Sequence, residues 1–299
     1  MSAAIRTIGF VGLGTMGGPM ARNLLKAGFA LRAFDVASSA LAALAEAGAT
    51  PARSAADAAN GVDALVTMLP NGSHVEDALL GPDGAASALA AGALLIEMST
   101  IAPGVTDRLA RAMSERGIAM VDAPVGRSSQ HAVEGKLLIM AGGGDEDVER
   151  ARPVLEKLGD TIVHCGPVGS GARMKIVNNF MSITLNATTS EALSLAEASG
   201  LDPELARSVM LGTVAGQGHL GTTYPAKVLR GDLAPGFAVD LAEKDLGLAL
   251  ELGESLGLEL ATGRAARGAY VRAQRDGRGR QDWTALYAAA RDALVKEAV

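Results

Sequence analysis

The chain has 299 residues, 48% of them hydrophobic and 20% charged, and a formal net charge of −6 at pH 7. This length has room for two domains of ordinary size. The acidic balance argues against nucleic acid as a partner, because phosphate binding needs an excess of lysine and arginine. No apolar run reaches the length of a membrane span, and the start of the chain lacks the features of a signal peptide. The single cysteine excludes an internal disulfide, and four scattered histidines form no metal-ligand cluster. We therefore expect a soluble, cytoplasmic protein without a metal site.

Short apolar runs alternate with alanine-rich stretches of helical length through the first half of the chain. In chain order, the strand candidates are TIGFVG, ALRAFD, ALVTML, ALLIEMS, GIAMVDAP, KLLIMAGG and TIVHCG. This alternation predicts a parallel sheet with crossover helices. After Gly166 the strand signals stop, and within residues 166–200 one helical period is sustained over roughly 28 residues. We predict an α/β fold: an N-terminal doubly wound Rossmann sheet in residues 1–166, then a long interdomain helix and an all-α domain in residues 167–299.

A glycine motif separates the first strand from the first helix. Gly12, Gly14 and Gly17 follow the spacing Gly-x-Gly-x-x-Gly, and Asp35 ends the next strand. Glycines let the backbone approach a pyrophosphate, and the N-terminus of the helix offers amide donors and a positive dipole. Asp35 is suited to accept hydrogen bonds from ribose hydroxyls and to repel a 2′-phosphate, which favours NAD over NADP. The alternative is that the glycines serve only a tight turn.

Two later strand ends are expected in the same crevice, because ligands of parallel sheets lie beyond the carboxyl ends of the strands. Leu69 and Pro70 are predicted to pack on the cofactor, and Thr100 to bind toward its nicotinamide end, whereas Ser99 is assigned to the substrate. The residues predicted to bind the cofactor in the first domain are Gly12, Leu13, Gly14, Thr15, Met16, Gly17, Asp35, Met68, Leu69, Pro70 and Thr100.

Four polar residues share one face at the start of the long helix. Lys175, Asn178, Asn179 and Ser182 fall at i, i+3, i+4 and i+7. Two consecutive asparagines are unusual in a helix, because asparagine is a poor helix former. A solvated helix face explains a lysine but not the whole set. Beside this face runs an apolar stripe that we expect to pack in the core, formed by Met174, Val177, Met181 and Leu185.

Hydride transfer between nicotinamide and a carbonyl develops negative charge on oxygen, so such a site needs a proton donor. Lys175 is predicted to donate the proton in reduction and to accept it in oxidation, provided that burial or nearby cations lower its pKa. Asn179 is predicted to align substrate and lysine, with Asn178 and Ser182 on the far part of the substrate. Lys244, in LAEKDLGLAL, is either a solvated lysine or a group that closes onto the cofactor.

The segment DAPVGRSSQ, residues 122–130, opens a loop of small residues around one arginine. The guanidinium of Arg127 presents a fixed fork of donors suited to an anion, and Ser128 follows as a second candidate for substrate binding. The alternative is a structural ion pair between Arg127 and a nearby acid.

Taken together, these motifs resemble the β-hydroxyacid dehydrogenases. The glycine motif, DAPV, GSGARMKIVNN and EKDLGLAL occur in this family's order along the whole chain. The resemblance implies a Rossmann domain, a long interdomain helix, a helical domain used for assembly as a homodimer or homotetramer, and acid–base chemistry at Lys175.

One departure from the family pattern concerns the substrate. The usual Ser-Gly-Gly after DAPV holds a carboxylate, whereas this chain has Gly126, Arg127 and Ser128. The variant resembles a branch that reduces 3-sulfolactaldehyde with NADH, which implies that Arg127 binds a sulfonate and that Lys244 lies near the cofactor. Two alternatives stay open. One is a dehydrogenase for a carboxylate substrate, such as succinic semialdehyde/4-hydroxybutyrate or 3-hydroxyisobutyrate, and the other is a non-catalytic NAD-binding sensor.

Overall fold

The computed structural model describes residues 4–297, except the side chains at positions 245, 248, 251, 252, 255 and 294–297. By its internal contacts the chain divides into two compact units, Met1–Phe180 and Met181–Val299. Within the described ranges, no helix is both long enough and apolar enough to cross a membrane.

The first unit is built around one mixed sheet. Among the described residues its strands are β1 (Thr7–Val11), β2 (Ala30–Phe34), β3 (Thr50–Pro51), β4 (Ala64–Thr67), β5 (Leu94–Glu97), β6 (Ala119–Asp122), β7 (Val125–Gly126), β8 (Leu137–Gly142) and β9 (Gly159–Gly166). Strands β3-β2-β1-β4-β5-β6 are parallel and adjacent in that order, which is the doubly wound arrangement. Strand β8 runs antiparallel to β6 and β7, and β9 pairs with β8. The predicted fold class is thereby confirmed. All seven predicted strands are present. The strands β3 and β7 were not predicted, because two residues are too few to show a period.

Helices cover both faces of the sheet. They are α1 (Gly17–Lys26), α2 (Ser38–Ala45), α3 (Ala55–Ala59), α4 (Gly72–Leu80), α5 (Pro103–Ser114), α6 (Ser129–Glu134), α7 (Asp145–Leu155) and the start of α8 (Ser170–Ala198). Two apolar clusters form the core, one on each face: Leu94 and Ile96 of β5 belong to one cluster, and Leu95 belongs to the other. This division follows from the alternation of side chains along a strand.

The long helix α8 begins on the sheet. Gly171 and Ala172 in its first turn are buried, and a β-carbon at Gly171 would lie 2.2 Å from the carbonyl oxygen of Met140. Because this turn packs so closely on β8, the first unit extends to Phe180, beyond the boundary after Gly166 expected from the loss of strand signals.

The second unit is helical. Its helices, after the remainder of α8, are α9 (Pro203–Leu211), α10 (Val214–Gln217), α11 (Thr223–Ala226), α12 (Val239–Ser255), α13 (Ala261–Arg275) and α14 (Ala285–Glu297). Val239, Ala273 and Ala285 form a small buried cluster. The buried carboxylate of Asp282 accepts hydrogen bonds from the Gly236 amide, at 2.9 Å, and from the Thr284 amide, at 3.1 Å, and so joins the loop before α12 to the loop before α14.

The apolar stripe of α8 does not lie in the core of the chain, contrary to expectation. Its side chains are between 40% and 64% exposed, at Met174, Val177, Met181 and Leu185. Helical periodicity identifies a face that burial would favour, but it carries no information on whether the covering surface comes from the same chain. The stripe is therefore an exposed apolar face of the isolated chain.

Three polar side chains are buried at the carboxyl ends of adjacent strands. Thr67, Glu97 and Asp122 are each no more than 1% exposed, and strand pairing places Glu97 beside both of the others. Burial raises the pKa of Glu97 to about 8 and that of Asp122 to about 6. Glu97 is consequently protonated in the folded protein at neutral pH.

We predict that Glu97→Gln makes stability less dependent on pH. The folded-state pKa of Glu97 lies above its ordinary value of 4.5, so its contribution to the free energy of unfolding is complete below pH 4.5 and is lost as the pH rises to about 8. Relative to wild type, the variant should gain on the order of a few kcal/mol between pH 5 and pH 8 in urea unfolding, at about 1.4 kcal/mol per pH unit.

The matched control is Glu149→Gln. A hydrogen bond from Arg152 lowers the pKa of the Glu149 carboxyl below its ordinary value of 4.5, so its contribution to stability is complete above that pH and the difference between Glu149→Gln and wild type should stay constant from pH 5 to pH 8. A difference between Glu97→Gln and wild type that stays constant from pH 5 to pH 8 would contradict the assignment of a protonated Glu97.

Candidate functional site

The glycine motif forms a tight turn at the carboxyl end of β1. Gly12 has φ +96°, and a β-carbon there would lie 2.2 Å from the carbonyl oxygen of Met68. A β-carbon at Gly17 would lie 2.0 Å from the carbonyl oxygen of Gly12. The close approach of backbone segments thus requires both glycines.

Gly14 is different, because it is exposed and a β-carbon there would meet no described protein atom within 4 Å. Packing inside the protein therefore does not require glycine at this position. The approach of a pyrophosphate to Gly14, expected from the glycine motif, stays a prediction.

A cavity of about 830 Å³ lies at the carboxyl ends of β1, β2 and β4. Its volume is in the usual range for a site that encloses a small molecule or cofactor. Nine of the residues predicted to bind a cofactor line it: Gly12, Gly14, Thr15, Met16, Gly17, Asp35, Met68, Leu69 and Pro70. Leu13 and Thr100 are not among the residues described as lining it.

The Asp35 carboxylate is held in the wall of this cavity by two backbone amides. Its Oδ2 accepts a hydrogen bond from Leu13 N at 2.5 Å, and its Oδ1 accepts one from Ala37 N at 2.7 Å. Leu13 is itself buried, so its role is to fix Asp35 and the glycine turn. The two bonds leave further lone pairs of the carboxylate for ribose hydroxyls.

Part of the cavity wall was missed by the sequence analysis. The additional lining residues are Val11, Phe34, Val36, Arg53, Ser54, Ala55, His74, Asp77, Ala78, Pro82 and Asp83. Val11 and Phe34 end predicted strands and could have been included on that ground. Arg53 and Ser54 follow the two-residue strand β3, which leaves no periodic signal in the sequence.

Ser99, predicted to bind substrate, is only 1% exposed. Its amide donates to Glu97 Oε1 at 2.8 Å, and its Oγ accepts a hydrogen bond from Leu69 N at 2.9 Å. In this structure Ser99 offers a substrate no surface. It joins the end of β5 to Leu69 in the cavity wall instead.

The first turn of α8 is fixed by the buried carboxylate of Asp122. Oδ1 accepts a hydrogen bond from Gly169 N at 2.6 Å, and Oδ2 accepts one from Ala172 N at 2.7 Å. These bonds satisfy amides that a helix start leaves unpaired, and the negative charge lies at the positive end of the helix dipole. Arg173 adds an ion pair with Asp107 of α5 at 2.7 Å. The aspartate of DAPV thus has a structural role that the sequence analysis did not assign.

The polar face of α8 lies just beyond this anchor. Lys175 and Asn179 are half-buried, and Asn178 is exposed, with its Nδ2 donating to Asn179 Oδ1 at 3.4 Å. Burial lowers the pKa of Lys175, which is the direction that a proton donor near neutral pH needs. The structure places Lys175, Asn178 and Asn179 together in the first unit. Ser182 and Lys244, both exposed, belong to the second unit.

Arg127 follows β7 with an unusual backbone. Its φ is +75°, in the left-handed region that non-glycine residues rarely adopt. Its guanidinium forms an ion pair with Asp160 at 2.6 Å, which matches the alternative considered from the sequence. Binding of a substrate anion by Arg127 stays a prediction. Ser128 is exposed, and its hydroxyl lies 2.8 Å from Nδ1 of His131.

Two parts of the chain match known families of NAD-binding domains. Residues 7–166 match the family described as the NAD binding domain of 6-phosphogluconate dehydrogenase. Residues 169–290 match the NAD-binding domain of NADP-dependent 3-hydroxyisobutyrate dehydrogenase. Both descriptions concern NAD-binding domains, and the chain accordingly takes a nicotinamide dinucleotide cofactor.

Several relatives match over nearly their whole length. The chain is 49% identical to 3-sulfolactaldehyde reductase of Escherichia coli, over 93% of this chain and 94% of that protein. It is 41% identical to 3-hydroxyisobutyrate dehydrogenase of Pseudomonas aeruginosa, over 90% and 93%. The structure of Mycobacterium tuberculosis 3-hydroxyisobutyrate dehydrogenase with L-serine aligns with a TM-score of 0.67 at 33% identity, covering 96% of this chain and 99% of that one. Together with the glycine turn, Asp35 and the helix α8 that carries Lys175, these matches show that the chain belongs to the β-hydroxyacid dehydrogenase family.

Proposed function

We propose that this protein catalyses the NADH-dependent reduction of 3-sulfolactaldehyde to 2,3-dihydroxypropane-1-sulfonate in sulfoquinovose degradation. The observation that carries the proposal is the 49% identity, over almost the full length of both chains, to 3-sulfolactaldehyde reductase of Escherichia coli. The departure Gly126-Arg127-Ser128 after DAPV supports it, because a guanidinium suits a permanently ionised, tetrahedral sulfonate.

The cofactor preference proposed is NADH over NADPH. Three carboxylates line the cavity, from Asp35, Asp77 and Asp83, against one guanidinium, from Arg53. Asp35 is held by two amides and so keeps its orientation. A 2′-phosphate would bring two more negative charges toward this wall, which supports the preference for the unphosphorylated ribose. The bound cofactor supplies the hydride that the aldehyde carbon accepts.

In the proposed reaction the ammonium of Lys175 gives a proton to the aldehyde oxygen as negative charge develops there, and the neutral amine then regains a proton from water. The partial burial that lowers the Lys175 pKa supports this role. The half-buried Asn179, one turn further along the same face, orients the substrate by its amide. Asn178 and Ser182 contact the substrate further from the reacting carbon, and Lys244 closes onto the cofactor.

Arg127 binds the sulfonate in this scheme. Its left-handed backbone costs on the order of 1 kcal/mol or more, and such strain tends to persist where function needs it. Ser128 adds a hydroxyl donor next to it. A carboxylate also fits a guanidinium, so the competing substrates are succinic semialdehyde and the 3-hydroxyisobutyrate pair.

The protein is further proposed to act as a homodimer or homotetramer in the cytoplasm. The exposed apolar stripe of α8 supports assembly, as do Leu205 and Val209, which are exposed on α9. A second copy of the chain would cover these side chains.

The function is tested by comparing kcat/KM for 3-sulfolactaldehyde and succinic semialdehyde with NADH, in wild type and in Arg127→Gly. Wild type should prefer the sulfonate. In Arg127→Gly the KM for 3-sulfolactaldehyde should rise by about tenfold to hundredfold, as expected when a charge-assisted hydrogen bond of about 1.5–3 kcal/mol is lost. The melting temperature should change little, because glycine relieves the left-handed strain at this position. Equal or higher kcat/KM for succinic semialdehyde would refute the sulfonate assignment.

Lys175→Ala should abolish turnover while leaving NADH binding, measured by fluorescence titration, within about threefold of wild type, since the lysine acts on the substrate oxygen. Lys157→Ala, at an exposed lysine after α7, is the control and should keep full activity. NADH binding by wild type without turnover of any aldehyde in the panel would favour the sensor instead.

Gly14→Ala and Gly17→Ala should separate ligand approach from packing. Gly14→Ala should weaken NADH binding at least tenfold with an unfolding free energy within about 0.5 kcal/mol of wild type, because only the cofactor meets the new methyl group. Gly17→Ala should destabilise the fold, since its β-carbon would lie 2.0 Å from the Gly12 carbonyl oxygen. Equal loss of stability in both variants would contradict the assignment of Gly14 to the cofactor.

A further inference from the structure

Arg127 and Asp160 meet at the edge of the sheet where ligands are expected. Asp122 pairs with Gly142 and Gly126 pairs with Leu138 in one unbroken antiparallel register, so β7 continues β6 past its carboxyl end. Strands β8 and β9 begin at this same end of the parallel sheet, because β8 is antiparallel to β6 and parallel to β9. The two residues therefore lie on the carboxyl side of the sheet, where parallel sheets bind ligands.

Asp160 occupies an irregularity in the sheet. Leu137 pairs with Gly159 and Leu138 pairs with Thr161, so Asp160 is an extra residue on β9 without a partner on β8. A β-bulge of this kind redirects a side chain, and bulges are common beside active sites. The bulge is independent of the left-handed backbone at Arg127, although both features bear on the same ion pair.

The contacts of the guanidinium use one of its edges. Nη1 donates to the carbonyl oxygen of Lys136 at 2.5 Å and to Asp160 Oδ1 at 2.6 Å, which uses both of its hydrogens. Nη2 donates to Thr161 Oγ1 at 3.2 Å, and the Thr161 hydroxyl in turn donates to Asp160 Oδ1 at 2.8 Å. Among the described residues, Nε and the second hydrogen of Nη2 have no acceptor. These two donors form the side-on fork that binds an anion with two parallel hydrogen bonds.

The local charges are consistent with an ionised anchor. Hydrogen bonds from Thr161 and Arg127 hold the pKa of Asp160 below its usual value. Lys136 lies close enough to favour the same charge, and its own ammonium pairs with Glu134 at 3.2 Å. The Arg127 and Asp160 side chains stay 33% and 47% exposed, so solvent and an incoming anion can reach the pair.

We infer that Asp160 is a positioning residue for substrate recognition: it holds the Arg127 guanidinium by the Nη1 edge and leaves the Nε–Nη2 fork for the anionic end of the substrate. The inference rests on the proposed function and adds a residue to it. The ion pair is then no competitor of the substrate. It is the support that fixes the arginine, whose backbone is already constrained.

The test compares Asp160→Ala and Asp160→Asn with wild type in steady-state reduction of 3-sulfolactaldehyde. Asp160→Ala should raise KM about fivefold to tenfold and change kcat less than twofold, because orientation of the anion is lost while the chemistry at the aldehyde is not. Asp160→Asn keeps an oxygen acceptor for Nη1 and should restore KM to within about threefold of wild type. In an Arg127→Gly background, Asp160→Ala should have no further effect on KM.

The control is Glu149→Ala, which removes an exposed carboxylate–arginine pair of the same length, 2.6 Å, on α7 and should leave KM unchanged. Melting temperatures of all variants check that folding is intact. An unchanged or lowered KM in Asp160→Ala would overturn the inference, the latter by showing that Asp160 competes with the substrate. If wild type did not reduce 3-sulfolactaldehyde, the proposed function would be refuted instead. The same variants would then be compared on the anionic aldehyde that wild type does reduce.

Discussion

The buried carboxylate of Asp122 is the contact on which the arrangement of this site depends. It ends β6 and accepts two amide hydrogen bonds from the first turn of α8. Those bonds set the position of the first turn of α8 on the sheet and the rotation of the helix about its own axis. They therefore also set the direction of the helix face that carries Lys175 and Asn179. A helix start without such a partner would leave several amides unpaired.

This anchor has an electrostatic cost, because the adjacent strand ends in a second buried acid. Glu97 lies beside Asp122, and burial raises the pKa of both carboxyls, that of Glu97 the more. One negative charge and one neutral acid are easier to bury side by side than two charges. The neutral Glu97 also accepts from the Ser99 amide, and Ser99 accepts from Leu69 in the cavity wall. The acidic strand ends thus connect the first turn of α8 to the wall of the cavity.

The two interpretations of Arg127, an ion pair with an acid and the binding of a substrate anion, are compatible with each other. An ion pair with Asp160 is present, yet a guanidinium has five donors and the described contacts use three. A structural partner on one edge can fix the group for a ligand on the other edge. The left-handed backbone at Arg127 and the bulge at Asp160 are local costs of bringing the two side chains together.

The sequence by itself determined seven of the strands along the chain, the glycine turn, the place of Asp35 directly after β2 and the polar residues on one face of α8, because these depend on short periods and on the backbone freedom of single residues. Only the tertiary structure decided that Arg53, Asp77 and Asp83 line the cavity, that Ser99 is buried, and that Arg127 meets Asp160, 33 residues away. It also left exposed the apolar stripe of α8, which the periodicity assigned to the core. Contacts between distant segments depend on how strands and loops are brought together, and no local pattern in the chain records that.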